Sequence, residues 1–422
     1  MKKYDLVVIG GGFAGTAAAI SGARAGLSVL LIDKSNCLGG AAVNCLVNPF
    51  MPNVTKITEN GILRNYQLSQ GIFSEILENL RGMGAAENGG EPAFQEEFLK
   101  IILNRMVIQS KAELLFHSYL IDAKKDGDQI KSVTVANKSG RQEIFADYFI
   151  DATGDADLAV LCGCPYHLGR EGDHLCQPMT LCFRVGKVDM EKYQKSRPVI
   201  NNLYKEMQKQ GKIKNIREDV LIFRTMADGV LHFNSTRIVK CNPVDAFDLT
   251  KAEIEAREQV LELFAFMKEN IDGFQDSELL MTAPEIGVRE SRMIDGEYLL
   301  TADDLIACTK FEDSIALGNY DIDIHNPEGS GTSHYYFPEG QYYTIPYRSL
   351  IPKKVTNLLV AGRCISATHE AQASIRIMPI VCCIGEAAGT AVSVAAESGN
   401  NMRNVNIKKL QEQLHKQGCV FY

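Results

Sequence analysis

The chain opens on an unbroken apolar run, Leu6, Val7, Val8 and Ile9. Continuous β-prone apolar residues predict a strand buried on both faces of a parallel sheet. Gly10, Gly12 and Gly15 follow at once, then an Ala-rich stretch that suits a closely packed helix, and a second apolar run, residues 29–32, ends in Asp33. Strand, G-x-G-x-x-G turn, helix and acid-terminated strand together form a dinucleotide-binding fingerprint. Gly10 permits the tight turn, Gly12 lets backbone approach a pyrophosphate, and Gly15 allows close helix-to-strand contact. The helix start supplies unpaired N–H groups and positive dipole. Although Lys2 and Lys3 precede the apolar run, Asp5 and the three glycines break it up as a signal peptide.

Further along, the periodicity changes. Residues 36–52 read as a loop in which Gly39, Gly40, Ala41 and Ala42 leave room for a flat ligand. Apolar spacings of three and four predict amphipathic helices over 72–83 and 94–108. Residues 113–150, with turns at Asp126-Gly127-Asp128 and Ser139-Gly140, predict a β-meander that ends in Ala152-Thr153-Gly154, a second strand-to-glycine turn. From 166 to 345 this punctuation is lost; strands mix with helices over 191–210 and 250–271. Residues 357–363 restore a buried strand and glycine turn, and a helix follows Met378. The expected fold is therefore α/β: a discontinuous Rossmann-like domain with a β-meander (1–165 and 346–400), an inserted α+β substrate or cap domain (166–345), and a C-terminal helix and tail (401–422).

With 422 residues, 45% of them hydrophobic, the chain can fill two cores. A formal charge of −8 and the lack of any Lys/Arg run give no footprint for nucleic acid. The twelve cysteines are scattered without C-x-x-C spacing and read as reduced thiols of a cytoplasmic protein, neither a disulfide framework nor a zinc ribbon. Residues 377–396 have the length of a membrane span. Pro379 and Glu386 interrupt them, and Gly385-x-x-x-Gly389 suits close packing, so a buried helix and no span are expected.

Four pieces in order, GGGFAG with Asp33, FIDATGDADLA, APEIGVRESRMIDGEYLLTADDL and LLVAGRCISATHEAQASIRIMP, resemble a family of FAD-dependent oxidoreductases. Its relatives include the flavoprotein subunits of fumarate reductase and succinate dehydrogenase and the heterodisulfide-reductase-like flavoproteins. FAD rather than NAD also fits the three glycine turns, because so long a cofactor must be held by chain elements far apart in sequence. By this resemblance, Gly10, Gly12, Phe13, Ala14 and Gly15 hold the pyrophosphate, and Asp33, with Lys34 beside it, the adenosine ribose. Gly39, Gly40, Ala41 and Ala42 line the ribityl and flavin region, and backbone around Leu120 takes the adenine. Ala152, Thr153, Gly154, Gly362 and Arg363 lie along the diphosphate and ribityl. Ile377 and Met378, at a helix N-terminus, face the flavin pyrimidine ring. No second G-x-G-x-x-G exists, Gly82-x-Gly84 coming closest, and residues 33–51 contain no histidine for a covalent flavin link. Non-covalent FAD is expected, with no separate NAD(P)H domain. The resemblance implies two-electron transfer with a small organic substrate and a separate electron donor or acceptor; an electron-transfer subunit with a protein partner and a redox-neutral flavoprotein are the alternatives. An oligomer is compatible with the sequence.

Candidate chemistry gathers in four places. His369 and Arg376 precede the flavin-facing helix and are expected to move a proton and hold a carboxylate or flavin carbonyl, the alternative being a polar helix cap. Arg289 and Arg292 either clamp an acid or form an interdomain ion-pair network. Asp321, Asp323 and His325 alternate, so on a strand they share a face; no metal is expected there, and His325 and His334 are substrate-side candidates. Tyr347 and Arg348 stand near the cleft or at a hinge. Thr301 and Asp304 have the spacing of a capping box.

Overall fold

The computed structural model describes residues 2–59, 62–399 and 401–421. Strand β1 (Lys3–Ile9) turns into helix α1 (Phe13–Arg24) and returns as β2 (Val29–Ile32). All of β2 and the last four residues of β1 are buried, as a parallel strand covered on both faces requires. An antiparallel hairpin, Val54–Glu59 with Ile62–Gln67, occupies a stretch where the apolar pattern had indicated no element. Helices α2 (Ile72–Gly82) and α3 (Glu96–Gln109) follow. The next strands are β3 (Glu113–Leu115), β4 (Tyr119–Asp126), β5 (Gln129–Asn137) and β6 (Gly140–Asp151).

Strand β6 is long because it pairs twice. Residues 140–145 run antiparallel to β5 as part of the meander, and residues 145–151 run parallel to β1.

Strands β7 (Phe183–Gly186), β8 (Ile222–Arg224), β9 (Leu231–Phe233) and β10 (Glu278–Thr282) make an antiparallel sheet in the order β8-β9-β7-β10. Helix α4 (Ala246–Asn270) accompanies it, started by Asp245, whose carboxylate accepts from the Phe247 and Asp248 N–H groups. The helix expected over 191–210 is divided into Met190–Ser196 and Ile200–Lys209 by a 3₁₀ turn containing Pro198, whose ring cannot continue an α-helix.

Hairpin β11 (Ile322–His325) and β12 (Thr332–Tyr335) precedes β13 (Leu358–Val360), which lies parallel to β6 and completes a seven-stranded sheet. Helices α5 (His369–Ile375) and α6 (Met378–Ser398) end the large core. Thr301 and Asp304 do form a capping box. Two apolar cores result. One joins residues of 4–164 to residues of 294–421, and the other collects residues between Met179 and Ile286 together with Leu46.

Among the described residues only α6 is long and apolar enough to cross a bilayer, and it is wholly buried inside the protein. It lies on α1 almost backbone to backbone: a Cβ at Gly385 or Gly389 would overlap the carbonyl oxygens of Ala14 and Ala18.

Candidate active site

Strand register assembles the first half of the site. Ile9 pairs with Ile32 on one side and with Asp151 on the other, and Asp151 pairs in turn with Val360. The four parallel strands therefore end on one line. The residues that follow them, Gly10, Asp33, Ala152 and Ala361, are brought together from across the chain, at the sheet edge where open α/β proteins bind ligands.

A groove of about 350 Å³ runs along that edge. Of the residues expected to hold a dinucleotide, it is lined by Gly10, Gly12, Phe13 and Ala14, by Asp33 and Lys34, and by Gly39 through Ala42. Ala152, Thr153, Gly154, Gly362, Arg363 and Met378 complete the set. The fit to a dinucleotide is physical. A Cβ built on Gly12 meets nothing nearer than 4.0 Å, so the backbone there is open to a ligand, and Gly12 as N-cap offers α1 no capping side chain. Gly10, at φ 101°, could carry no side chain, because a Cβ would strike the Ala152 carbonyl. Asp33 accepts from the Gly11 N–H and, at 2.6 Å, from the Ser35 N–H. Arg363 is held by Asp155 at 2.7 Å, and its buried Nε has no partner among the described residues.

Three expected cofactor residues lie elsewhere. Gly15 is not in the groove wall: it packs against the Gly10 carbonyl, where a Cβ would overlap it. Leu120 pairs with Val135 inside β4 and lines neither cavity; the backbone bonded to Asp33 from this region is Leu115, whose carbonyl accepts from the Asp33 N–H, and Ser118, whose N–H donates to the Asp33 carbonyl. Ile377 lines the second cavity rather than the groove.

That second cavity, of about 400 Å³, lies between the antiparallel sheet, the β11–β12 hairpin and the first turn of α6. It shares Ala41, Val288, Arg363, Arg376 and Met378 with the groove. Of the candidate site residues, Arg376, Arg289, His325 and His334 line it. His369 and Arg292 do not. His369 Nδ1 is 2.7 Å from the fully buried Glu290 carboxylate, and Arg292 is tied to Asp157 and the Asp155 carbonyl. His369 thereby ties its helix to the segment carrying Arg289. Tyr347 is buried with its hydroxyl on the Met402 carbonyl, and Arg348 pairs with Asp313; both are packing residues.

Within the cavity, side chains that the alternating pattern had grouped on one face are sorted across the hairpin. Asp323 opposes His334 in register. Asp323 Oδ2 receives His325 Nε2 at 3.3 Å, the Tyr320 hydroxyl at 3.3 Å and Arg376 at 3.4 Å. His334 Nδ1 is 2.5 Å from Asp321 Oδ2 and 3.7 Å from Asp323 Oδ1. These three residues are the one group among the described residues with metal-ligand proximity, but Arg376 and His325 already bring donors to Asp323. Burial pushes the Asp323 carboxyl up, yet the His325 bond and the Arg376 and Arg289 guanidiniums outweigh it and hold the group below the usual carboxylate range. Burial, reinforced by Arg289, pushes His325 down to about 3, so the imidazole is neutral.

Residues 5–414 match the family described as FAD dependent oxidoreductase. The chain belongs to that family. The oxidoreductase is thus an enzyme with FAD as its cofactor. A soluble pyridine nucleotide transhydrogenase of Mycobacterium bovis (strain BCG / Pasteur 1173P2) is 48% identical over 44 residues, 10% of this chain and 9% of that protein's length. In three dimensions the oxidoreductase resembles the flavin-dependent brominase Bmp2, with TM-score 0.51 and 12% identity over 97% of this chain and 83% of the brominase. At that identity the likeness concerns the fold. The further residues lining the cavity, Thr180, Arg217 and Asn234, carry no motif; only the folded sheet brings them beside Arg289.

Proposed function

We propose that the enzyme transfers two electrons, as hydride, and one proton between non-covalent FAD and a small organic substrate in the 400 Å³ cavity, with a separate electron donor or acceptor restoring the cofactor. The observation that carries this reading is the shared wall, because a molecule in the cavity touches Arg363, Arg376 and Met378, which also line the cofactor groove. FAD supplies the two-electron chemistry when bound. The first turn of α1 would hold its pyrophosphate, Asp33 its ribose, and the free N–H groups at the start of α6 its flavin end. The division into an FAD-binding part (1–165 and 346–400) and a cap (166–345) belongs to this reading, as do a cytoplasmic setting and the resemblance to fumarate reductase flavoproteins, which supports hydride chemistry without naming the substrate.

His334 carries the proton. Its imidazole lines the cavity and keeps 35% of its surface exposed for exchange with solvent. Asp321 fixes Nδ1, leaving Nε2 without a hydrogen bond among the described residues. His325 has both nitrogens engaged, by Asp323 and by Thr332 at 3.1 Å, and positions Asp323 and Arg376. Anaerobic titration of the FAD-loaded enzyme tests the reading. Small-molecule donors or acceptors should bleach or restore the flavin absorbance directly; a flavin that responds only to a protein partner, or to nothing, overturns it.

A further inference from the structure

Charge accounting around the cavity leaves one cation over. Four guanidiniums line it: Arg217, Arg289, Arg363 and Arg376. Arg217 has Asp219 at 3.1 Å, Arg363 has Asp155 at 2.7 Å, and Arg376 has Asp323 at 3.4 Å. The remaining lining carboxylate, Glu218, is taken by Arg237 at 2.9 Å. Arg289 has no carboxylate partner among the described residues. Its Nη1 donates to the Pro178 carbonyl at 2.7 Å and to Thr180 Oγ1 at 2.5 Å, both neutral. The Nε–Nη2 edge, which presents two parallel N–H bonds, has a single long contact, 3.4 Å to Asn234 Oδ1.

Burial, with Arg376 and Arg217 as like-charged neighbours, lowers Arg289 to about 9, so a cation is being held at a cost. A guanidinium fixed by one edge, with its bidentate edge spare and Asp323 acting on it through its field without an ion pair, is arranged to receive a planar oxyanion. The small volume and the aliphatic and aromatic wall of Val47, Met51, Leu221 and Phe223 suit an anion with an apolar body.

We propose that the substrate is a small organic carboxylate whose charge pairs with the free edge of Arg289. The proposal deepens the function given above and rests on the same cavity. Its test needs no turnover: oxidised, FAD-loaded enzyme is titrated with benzoate and with benzamide while the flavin absorbance spectrum is followed. Benzoate should perturb the spectrum saturably, and benzamide should bind at least tenfold more weakly. Arg289→Gln should weaken benzoate at least tenfold, and Arg289→Lys, which keeps charge without the fork, should fall between. Arg348→Gln, on the outer surface, should bind benzoate like the parent.

Equal binding of benzoate and benzamide, or unchanged benzoate affinity in Arg289→Gln, overturns the proposal. So does a variant whose flavin midpoint potential falls while benzoate affinity stays, since the charge of Arg289 would then be matched by the flavin. If Arg289→Gln fails to retain FAD, the benzoate-to-benzamide ratio in the parent and in Arg289→Lys decides alone. An enzyme that binds benzoate but whose flavin no small molecule reduces or reoxidises would separate failure of the hydride reading from failure of this one.

Discussion

At the scale of single residues, the cavity divides labour between two histidines that look alike in sequence. His325 sits on β11, hydrogen-bonded at both nitrogens and kept neutral by burial; His334, opposite on β12, has one nitrogen on Asp321 and the other open. His334→Asn is therefore expected to lower kcat about 10²-fold, with FAD content unchanged. Steady-state rates and flavin content, compared with His325→Asn, check this; an unchanged kcat in His334→Asn would refute the assignment. The pairing of Asp323 with His334 was illegible beforehand because it depends on hairpin register. Period-two alternation located Asp321, Asp323 and His325 as a group but could not say that Asp321 would turn to the neighbouring strand. His369 was hard to place for a different reason. Its position between strand and helix matches that of a site residue, but its partner is Glu290, 79 positions away.

Among elements, the two glycine-bearing helices are the sharpest case of sequence dictating packing. Ala-rich α1 and small-residue α6 approach until Ser21 Oγ donates to the Glu386 carbonyl at 3.0 Å. A methyl at residue 385 has nowhere to go. Gly385→Ala should cost about 1 to 3 kcal/mol and reduce bound flavin, because α1 carries the pyrophosphate turn. Gly399→Ala is the contrasting case: with no atom within 4 Å of a Cβ but φ at 63°, it should cost about 1 kcal/mol with flavin retained. Thermal unfolding and the flavin-to-protein absorbance ratio read both. The parallel strands and their glycine turns were legible because burial on both faces and tight turns restrict composition severely. Strands of the antiparallel sheet were not: β8 and β9 have three residues each, too short for alternation to stand above chance.

For the molecule as a whole, Glu386 joins three distant segments. Its carboxylate accepts from the Ile72 N–H at 2.9 Å, faces Cys419, and lies in the field of Arg24 and Glu75. Burial raises it from 4.5 to about 7. The folded state thus holds this proton more tightly than the unfolded chain, so the stabilisation is present at low pH and is lost as pH rises through 7. The shift corresponds to about 3 kcal/mol, and Glu386→Gln should flatten stability between pH 5 and 8. Melting curves at fixed ionic strength report it; a parent enzyme whose melting temperature climbs across that window would refute the sign.

The groove that Gly10 and Arg363 both line also sets an order of events during synthesis. On the ribosome, the opening βαβ unit emerges long before β13 and α6; its helix α1 packs early on β1, β2 and α3, but its most extensive contact waits for residues 378–398. The groove lacks part of its wall until residues 362–381 are made, so a chain arrested before β13 is expected to emerge colourless, which the absorbance of stalled nascent chains checks.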